Sequence, residues 1–171
     1  MAAILALAVL CVASVPAADL PEYQVKAAML YNVAKFVEWQ GGNTGAPLQV
    51  CVFGKNPFGA AFDSLRGKTV HGRPLNIRQV SRTEEIGSCQ ILFISSSERR
   101  NLPAILGSGS LPGVLTISDM DRFAAAGGMV GFVEVDGRIR LEVNLEAAQQ
   151  AQLKIGAQML KLARIVGGGG Q

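Results

Sequence analysis

The stretch Gln90-Ile91-Leu92-Phe93-Ile94 decides the fold, because it is almost purely apolar and reads as a β-strand. A strand of this kind is buried on both faces, as in a parallel sheet with helices on either side. Short β-branched or aromatic runs at residues 48–53, 75–80 and 114–118 alternate with helical runs along the chain. This alternation predicts an open, mainly parallel α/β sheet with right-handed crossovers.

The C-terminal third of the chain departs from this pattern. Residues 131–135 and 138–143 flank Asp136-Gly137, a strong signal for a β-hairpin. Helical periodicity predicts one helix over residues 21–39 and a final helix that begins after Asn144 and ends at about residue 166. The fold class that follows is α/β: a single-domain layered sandwich with a mainly parallel central sheet, a C-terminal β-hairpin and helices on both faces.

The first 17 residues predict export. They combine an apolar run without charged side chains, Pro16 and small residues suited to a signal peptidase. The run is too short for a membrane span, which needs about 20 residues. We therefore expect residues 1–17 to be a signal peptide, residues 19–166 a periplasmic domain, and residues 167–171 a flexible glycine-rich tail.

Cleavage would remove Cys11 and leave Cys51 and Cys89 of the three cysteines. An oxidising compartment and an even count favour a disulfide between them, because their strands can be neighbours in a parallel sheet. The alternative is a pair of buried thiols. Neither cysteine belongs to a C-x-x-C motif, so a catalytic redox role has little support.

The sequence offers few catalytic or metal-binding groups. The net charge of +3 is mild and is not interleaved with aromatic residues, which argues against nucleic-acid binding. His71 is the single histidine and is expected in an exposed turn. Without a second histidine the usual zinc site cannot be built, and the chain lacks a nucleophile elbow and a phosphate loop. We expect no catalytic residue, no metal and no cofactor.

One edge of the predicted sheet is a candidate ligand site. Ser95, Ser96 and Ser97 follow the apolar strand, and Asp119 follows the next strand of the parallel series. The carboxyl ends of parallel strands are where such sheets bind ligands, and these hydroxyls could hold a small anion or polar ligand. The alternative is ordinary capping of the following helix by Ser96 or Ser97, with Glu98 nearby.

Two features predict a surface for a protein partner. Trp39, the single tryptophan, closes the first helix, which is apolar on more sides than one core layer can use. Trp39 is either a core residue or an exposed anchor. In the hairpin Arg138, Arg140 and Glu142 alternate with apolar residues, so one face is expected to be wet and to carry orienting charges.

The chain resembles the YfiR family over nearly the whole expected mature length. The first helix and the hairpin are the most specific parts of the resemblance. The matching segments are Lys26-Ala27-Ala28-Met29-Leu30-Tyr31-Asn32-Val33-Ala34-Lys35-Phe36-Val37-Glu38-Trp39, Cys51-Val52-Phe53-Gly54, Pro57-Phe58-Gly59, Ile91-Leu92-Phe93-Ile94-Ser95, Gly127-Gly128-Met129, Arg138-Ile139-Arg140-Leu141-Glu142-Val143-Asn144, Leu153-Lys154-Ile155 and Leu160-Lys161-Leu162-Ala163.

The resemblance implies a periplasmic repressor that binds the periplasmic sensing domain of an inner-membrane diguanylate cyclase. It also implies sequestration by an OmpA-like outer-membrane lipoprotein, a homodimer, and a fold-maintaining disulfide at Cys51 and Cys89. A second, more C-terminal cysteine pair found in some relatives is missing here. The favoured function is thus a non-enzymatic regulator, ahead of a periplasmic small-ligand binder and, more distantly, a hydrolase or transferase.

Overall fold

The computed structural model describes residues 21–40, 45–107 and 111–167 of the protein. The predicted signal peptide and all of the predicted tail except Gly167 lie outside these ranges. The helices within them are α1 (Glu22–Lys35), α2 (Leu102–Gly107), α3 (Leu145–Gln150) and α4 (Ala157–Leu160). The strands are β1 (Val37–Trp39), β2 (Leu48–Phe53), β3 (Thr69–Val70), β4 (Arg73–Val80), β5 (Ile91–Ile94), β6 (Leu115–Ser118), β7 (Val130–Val135), β8 (Arg138–Asn144), β9 (Leu153–Ile155) and β10 (Ala163–Val166).

The main sheet has eight strands in the order β10-β8-β7-β6-β5-β2-β4-β3. Its central strands β4, β2, β5, β6 and β7 are parallel, whereas β8 runs antiparallel to β7 and β10 parallel to β8. The parallel part has the doubly wound order in which the chain reverses direction across the sheet between β2 and β5. The predicted α/β class, parallel sheet and C-terminal hairpin are confirmed.

The central strands are buried on both faces, and their side chains feed two separate cores. In β2, Val50 and Val52 pack into the core beneath α1, while Cys51 and Phe53 point into the core on the opposite face. All four residues of β5 are buried in the same alternating way. This is the physical reason that β5 reads as an uninterrupted apolar run.

The disulfide prediction is confirmed: Cys51 and Cys89 form a bridge with their α-carbons 5.9 Å apart. The parallel pairing of β2 with β5 sets this distance, because Cys89 lies just before β5. Both cysteines are almost completely buried, in the core on the face opposite α1.

The first helix is shorter than the sequence predicts. It ends at Lys35, and the segment expected to be its last turn is the strand β1, which pairs antiparallel with β9. In that pairing Val37 lies opposite Ile155 and Trp39 opposite Leu153. The helical periodicity continues through these residues, but backbone pairing with a distant segment overrides it.

The predicted final helix is wrong. After Asn144, whose side chain caps α3 as expected by accepting a hydrogen bond from the Ala147 amide (3.0 Å), the chain forms α3, β9, α4 and β10. Gln152 has a left-handed backbone (φ 60°), which stops the helix. Gly156 then lies so close to Phe36 that a β-carbon would be 3.2 Å from the Phe36 carbonyl oxygen.

Candidate functional site

The carboxyl ends of β2 and β5, where the sequence predicts a ligand, are filled by the chain itself. The hydroxyl of Ser95 accepts a hydrogen bond from the Ser97 amide (3.4 Å), and the hydroxyl of Ser97 accepts one from the Lys55 amide (3.0 Å). A β-carbon on Gly54 would lie 2.5 Å from Ser97 Oγ, so the two segments are in close contact. Ser96 remains exposed. Ser95 caps the short helical turn that begins at Ser96, whereas Ser97 bonds the loop after β2. The alternative interpretation, capping by Ser96 or Ser97, was right about the role and wrong about the residue.

Asp119, the fourth predicted ligand residue, is held by the first helix. Its Oδ2 accepts hydrogen bonds from Tyr23 (2.9 Å) and Lys26 (2.6 Å), and the side chains of Asp119 and Lys26 are each 7% exposed. Lys26 also pairs with Glu22. This carboxylate ties the start of α1 to the carboxyl end of β6.

The same contacts shift two pKa values. Burial raises the pKa of Tyr23, and the hydrogen bond to Asp119 raises it further. For Lys26, burial lowers the pKa, but the hydrogen bonds to Asp119 and Glu22 outweigh this effect, so the net pKa is raised. The ammonium therefore stays charged because its partners compensate for its lost hydration.

The hairpin face is only partly as expected. Arg138 and Arg140 are exposed, and no ion pair involving either is found among the described residues. Glu142 is a correction: it is 3% exposed and forms an ion pair with Arg164 of β10. The alternation in β8 predicts a wet face along its whole length, but β10 and the segment around Ala124 cover the Glu142 end.

Trp39 lines a groove of about 660 Å³ beside the small β1–β9 sheet. The indole is half-buried and its Nε1 donates a hydrogen bond to the Gln90 carbonyl (3.3 Å), so the residue is partly core and partly surface. The groove mixes apolar side chains with carboxamides and one exposed ion pair. Its lining residues are Glu38, Trp39, Gln40, Leu145, Ala148, Gln149, Gln152, Leu153, Lys154, Ile155 and Leu160.

A second groove of about 280 Å³ lies between α1 and the hairpin and is more apolar. Arg140 is the single charged residue in its lining, and Leu162, 76% exposed, forms part of its rim. The lining residues are Met29, Asn32, Val33, Phe36, Ile139, Arg140, Leu141, Met159 and Leu162. We call this groove, together with Arg138 and the strand β10, the C-terminal surface.

The C-terminal surface brings together features that the sequence placed far apart. The surplus apolar side of α1 contributes Met29, the residue after the helix contributes Phe36, and the hairpin contributes Arg140 to the groove, with the exposed Arg138 near it in the same strand. Trp39 is not part of it, because it lines the other groove. Sequence reasoning missed Leu162 by placing it on the apolar stripe of a helix; the β-branched run Ile165-Val166 was the signal for a strand instead.

His71 lies in a turn, as expected. It is exposed, has a left-handed backbone (φ 51°), and its Nε2 is 3.0 Å from the Val37 carbonyl oxygen.

No cluster of three or more His, Cys, Asp or Glu side chains that could hold a metal ion occurs within residues 21–40, 45–107 and 111–167. In the same ranges, no helix is both long and apolar enough to span a bilayer.

Two solved structures share this fold. One is the ABC domain from Streptococcus pneumonia, solved in complex with L-Trp: it is 13% identical, with a TM-score of 0.53 over 84% of this chain and 60% of that chain. The other is a conserved domain protein from Vibrio cholerae: it is 12% identical, with a TM-score of 0.51 over 86% of this chain and 60% of that chain. The chain thus spans about 60% of the length of either structure, and identities this low show the fold alone. No curated protein matches the chain in sequence.

By its fold the protein is a doubly wound α/β domain with an antiparallel hairpin and an extra strand at one end. The model of the YfiR/HmsC-like family matches residues 23–164, which is most of the chain and includes nearly all of α1, the disulfide, the hairpin and the first two residues of β10. The chain belongs to the YfiR/HmsC-like family.

Proposed function

We propose that this protein is a non-enzymatic periplasmic regulator. It binds the periplasmic sensing domain of an inner-membrane diguanylate cyclase and represses that enzyme, which lowers cyclic-di-GMP and biofilm formation. Membership of the YfiR/HmsC-like family, whose members are periplasmic regulators of diguanylate cyclase signalling, supports the general part of this proposal. The identity of the partner and the direction of the effect are the parts we add from the resemblance.

The single observation that carries the proposal is the C-terminal surface. It offers an open apolar groove with the strongly exposed Leu162 on its rim and the exposed cations Arg138 and Arg140 beside it. Interfaces combine a central apolar patch with charged residues around it, since the apolar area supplies affinity and the charges orient the partner. Glu142 plays no direct part, because it is buried against Arg164.

The Trp39 groove is a second contact region in this proposal. Segment α4 separates the two grooves, with Met159 lining one and Leu160 the other. Two separate regions suit a protein that is expected to bind a cyclase, an OmpA-like lipoprotein and a second copy of itself. We assign the cyclase to the C-terminal surface and leave the Trp39 groove for the homodimer or the lipoprotein.

Ligand binding at Ser95, Ser96, Ser97 and Asp119 is the weaker alternative. Three of these four side chains already have partners within the protein. A ligand there would have to displace Lys26 from Asp119 or the Lys55 amide from Ser97.

Deleting the gene tests the proposal. In a strain that expresses a membrane diguanylate cyclase with a periplasmic domain, cyclic-di-GMP should rise on deletion and fall again when the wild-type gene is restored. Loss of that cyclase as well should abolish the rise. Unchanged cyclic-di-GMP in the deletion strain, with the cyclase expressed, would contradict the repressor function.

A further inference from the structure

The two ends of the eight-stranded sheet differ in the side chains that they expose. At one end the two-residue strand β3 pairs only with Arg73 and Pro74 of β4, and the Tyr31 hydroxyl donates a hydrogen bond to the Thr69 carbonyl (3.1 Å); neither strand of this end carries a strongly exposed large apolar side chain. At the other end β10 pairs only with β8, and no described strand lies beyond it. A strand paired on one side presents unpaired N–H and C=O groups that can accept another strand. We call the outer side of β10 the open edge.

Large apolar side chains are exposed at the open edge. Ile165 in β10 is 54% exposed, and Leu162 immediately before the strand is 76% exposed. Among the described residues, Val135 is the one other large apolar side chain in this class. Ile165 lies opposite Val143 in the sheet, on the face of the core beneath α1. A strand added at the open edge would cover Ile165 on that face.

The other face of the same edge is basic. Arg164 of β10 lies opposite Glu142. Arg138 and Arg140 follow the same alternation on β8, just before the residues that pair with β10, so all three arginines belong to this face, and Arg140 also reaches the groove on the α1 side. Lys161, just before β10, is also exposed. Glu142 is the one acid of this group, and Arg164 already pairs with it. The face therefore carries an uncompensated positive charge.

The charge decides which kind of strand fits. Pairing β10 with β10 of a second copy would bring two sets of the same cations together, and like charges across neighbouring strands are destabilising. An incoming strand that carries carboxylates meets opposite charge instead. Side chains alternate between faces along a strand, so the carboxylates must occupy every second position, with apolar residues between them to cover Ile165.

We propose that the open edge of β10 binds an extended segment of a partner protein in which acidic and apolar residues alternate, added as a further strand of the sheet. Main-chain hydrogen bonds supply part of the affinity, and the two faces of β10 supply the specificity. The inference rests on the proposed function only for the identity of the protein that contributes the segment.

A peptide tests the open edge without any knowledge of the cyclase. The probe is a short, capped peptide of alternating glutamate and valine, with a lysine–valine peptide of the same length as its control. Hydrogen exchange of the purified mature protein should show slower exchange of the β10 amides with the acidic peptide and no change with the basic one. Arg138→Glu combined with Arg140→Glu should weaken binding by about tenfold or more. The matched control is Arg99→Glu with Arg100→Glu, which reverses two exposed arginines elsewhere and should bind like the wild type.

Three outcomes would overturn the inference. They are no protection of β10 by the acidic peptide, equal binding of both peptides, or equal loss of binding in the two double variants. Charge-dependent binding to phosphatidylglycerol vesicles, without peptide protection, would assign the basic face to a lipid surface instead. Protection of β10 in a protein whose deletion leaves cyclic-di-GMP unchanged would keep the open edge and reject the cyclase.

Discussion

The centre of the sheet is buried and bonded within the chain, whereas its β10 end is exposed to solvent. In β2 and β5 nearly every side chain is buried, and Cys51 is joined to Cys89. Ser97, after β5, bonds the Lys55 amide, and Asp119, after β6, bonds Tyr23 and Lys26. At the β10 end, large aliphatic side chains and two arginines face solvent. Groups that are satisfied within the chain contribute to stability, whereas groups left open are available to a partner.

This difference affects the place where doubly wound folds usually bind their ligands. Doubly wound sheets commonly bind ligands where the strand order reverses, which here lies between β2 and β5. In this protein Gly54 and Ser97 close that point by direct contact, and α1 occupies the carboxylate of Asp119. In our proposal, binding takes place instead at the hairpin and the strand that follows it, which are additions to the parallel core.

Removing the disulfide should have the largest effect on stability, while the β10 end should keep its binding capacity. The bridge spans a sequence separation of 38 residues, so Cys51→Ala with Cys89→Ala should lower the free energy of unfolding by about 4 kcal/mol. Urea denaturation of the purified mature protein measures the change. The folded fraction should still bind the acidic peptide at the open edge. A loss of less than about 1 kcal/mol would mean that the bridge contributes little to the centre.

The ion pair between Lys26 and Asp119 gives a smaller, pH-dependent effect. Because the folded-state pKa of Lys26 is raised above its ordinary value of 10.5, its stabilising contribution is present below that pH. The contribution is lost as the pH rises through the raised pKa. Tyr23, with a pKa raised above 10.0, acts in the same direction. Urea unfolding should therefore show stability falling on the alkaline side of about pH 10.

Lys26→Met is the control for that pH dependence. This substitution should lower the free energy of unfolding by about 3 kcal/mol near neutral pH, since it leaves the carboxylate of Asp119 without its cation. It should also flatten the alkaline decline, to which Lys26 no longer contributes. An unchanged slope in the variant would show that other groups cause the decline.

The centre of the fold could be predicted from the sequence, because a strand that is buried on both faces consists almost entirely of apolar residues. The apolar run of β5 and the position of Cys89 just before it are enough to predict a parallel neighbour for β2 and the bridge to Cys51. The hairpin was equally accessible, since Asp136 and Gly137 have the left-handed backbone (φ 52° and 69°) that the turn requires.

The Trp39 groove and the C-terminal surface were harder to predict because their elements are short and depend on distant partners. β1 and β9 have three residues each and exist by pairing with one another, so Trp39 reads locally as the end of a helix. Leu162 and Met159 keep helical spacing although β10 follows α4 at once. The burial of Glu142 depends on Arg164, a contact that no local pattern reveals.

The central claim is that the exposed residues of the C-terminal surface serve repression and contribute little to folding, and Leu162→Asp tests it most directly. In the deletion strain this variant should leave cyclic-di-GMP as high as no protein at all. Its free energy of unfolding should match the wild type within about 0.5 kcal/mol, because the side chain is 76% exposed. Ala60→Asp, an exposed substitution in the segment Gly59–Leu65, should restore repression fully. Full repression by Leu162→Asp at normal protein levels would contradict the account.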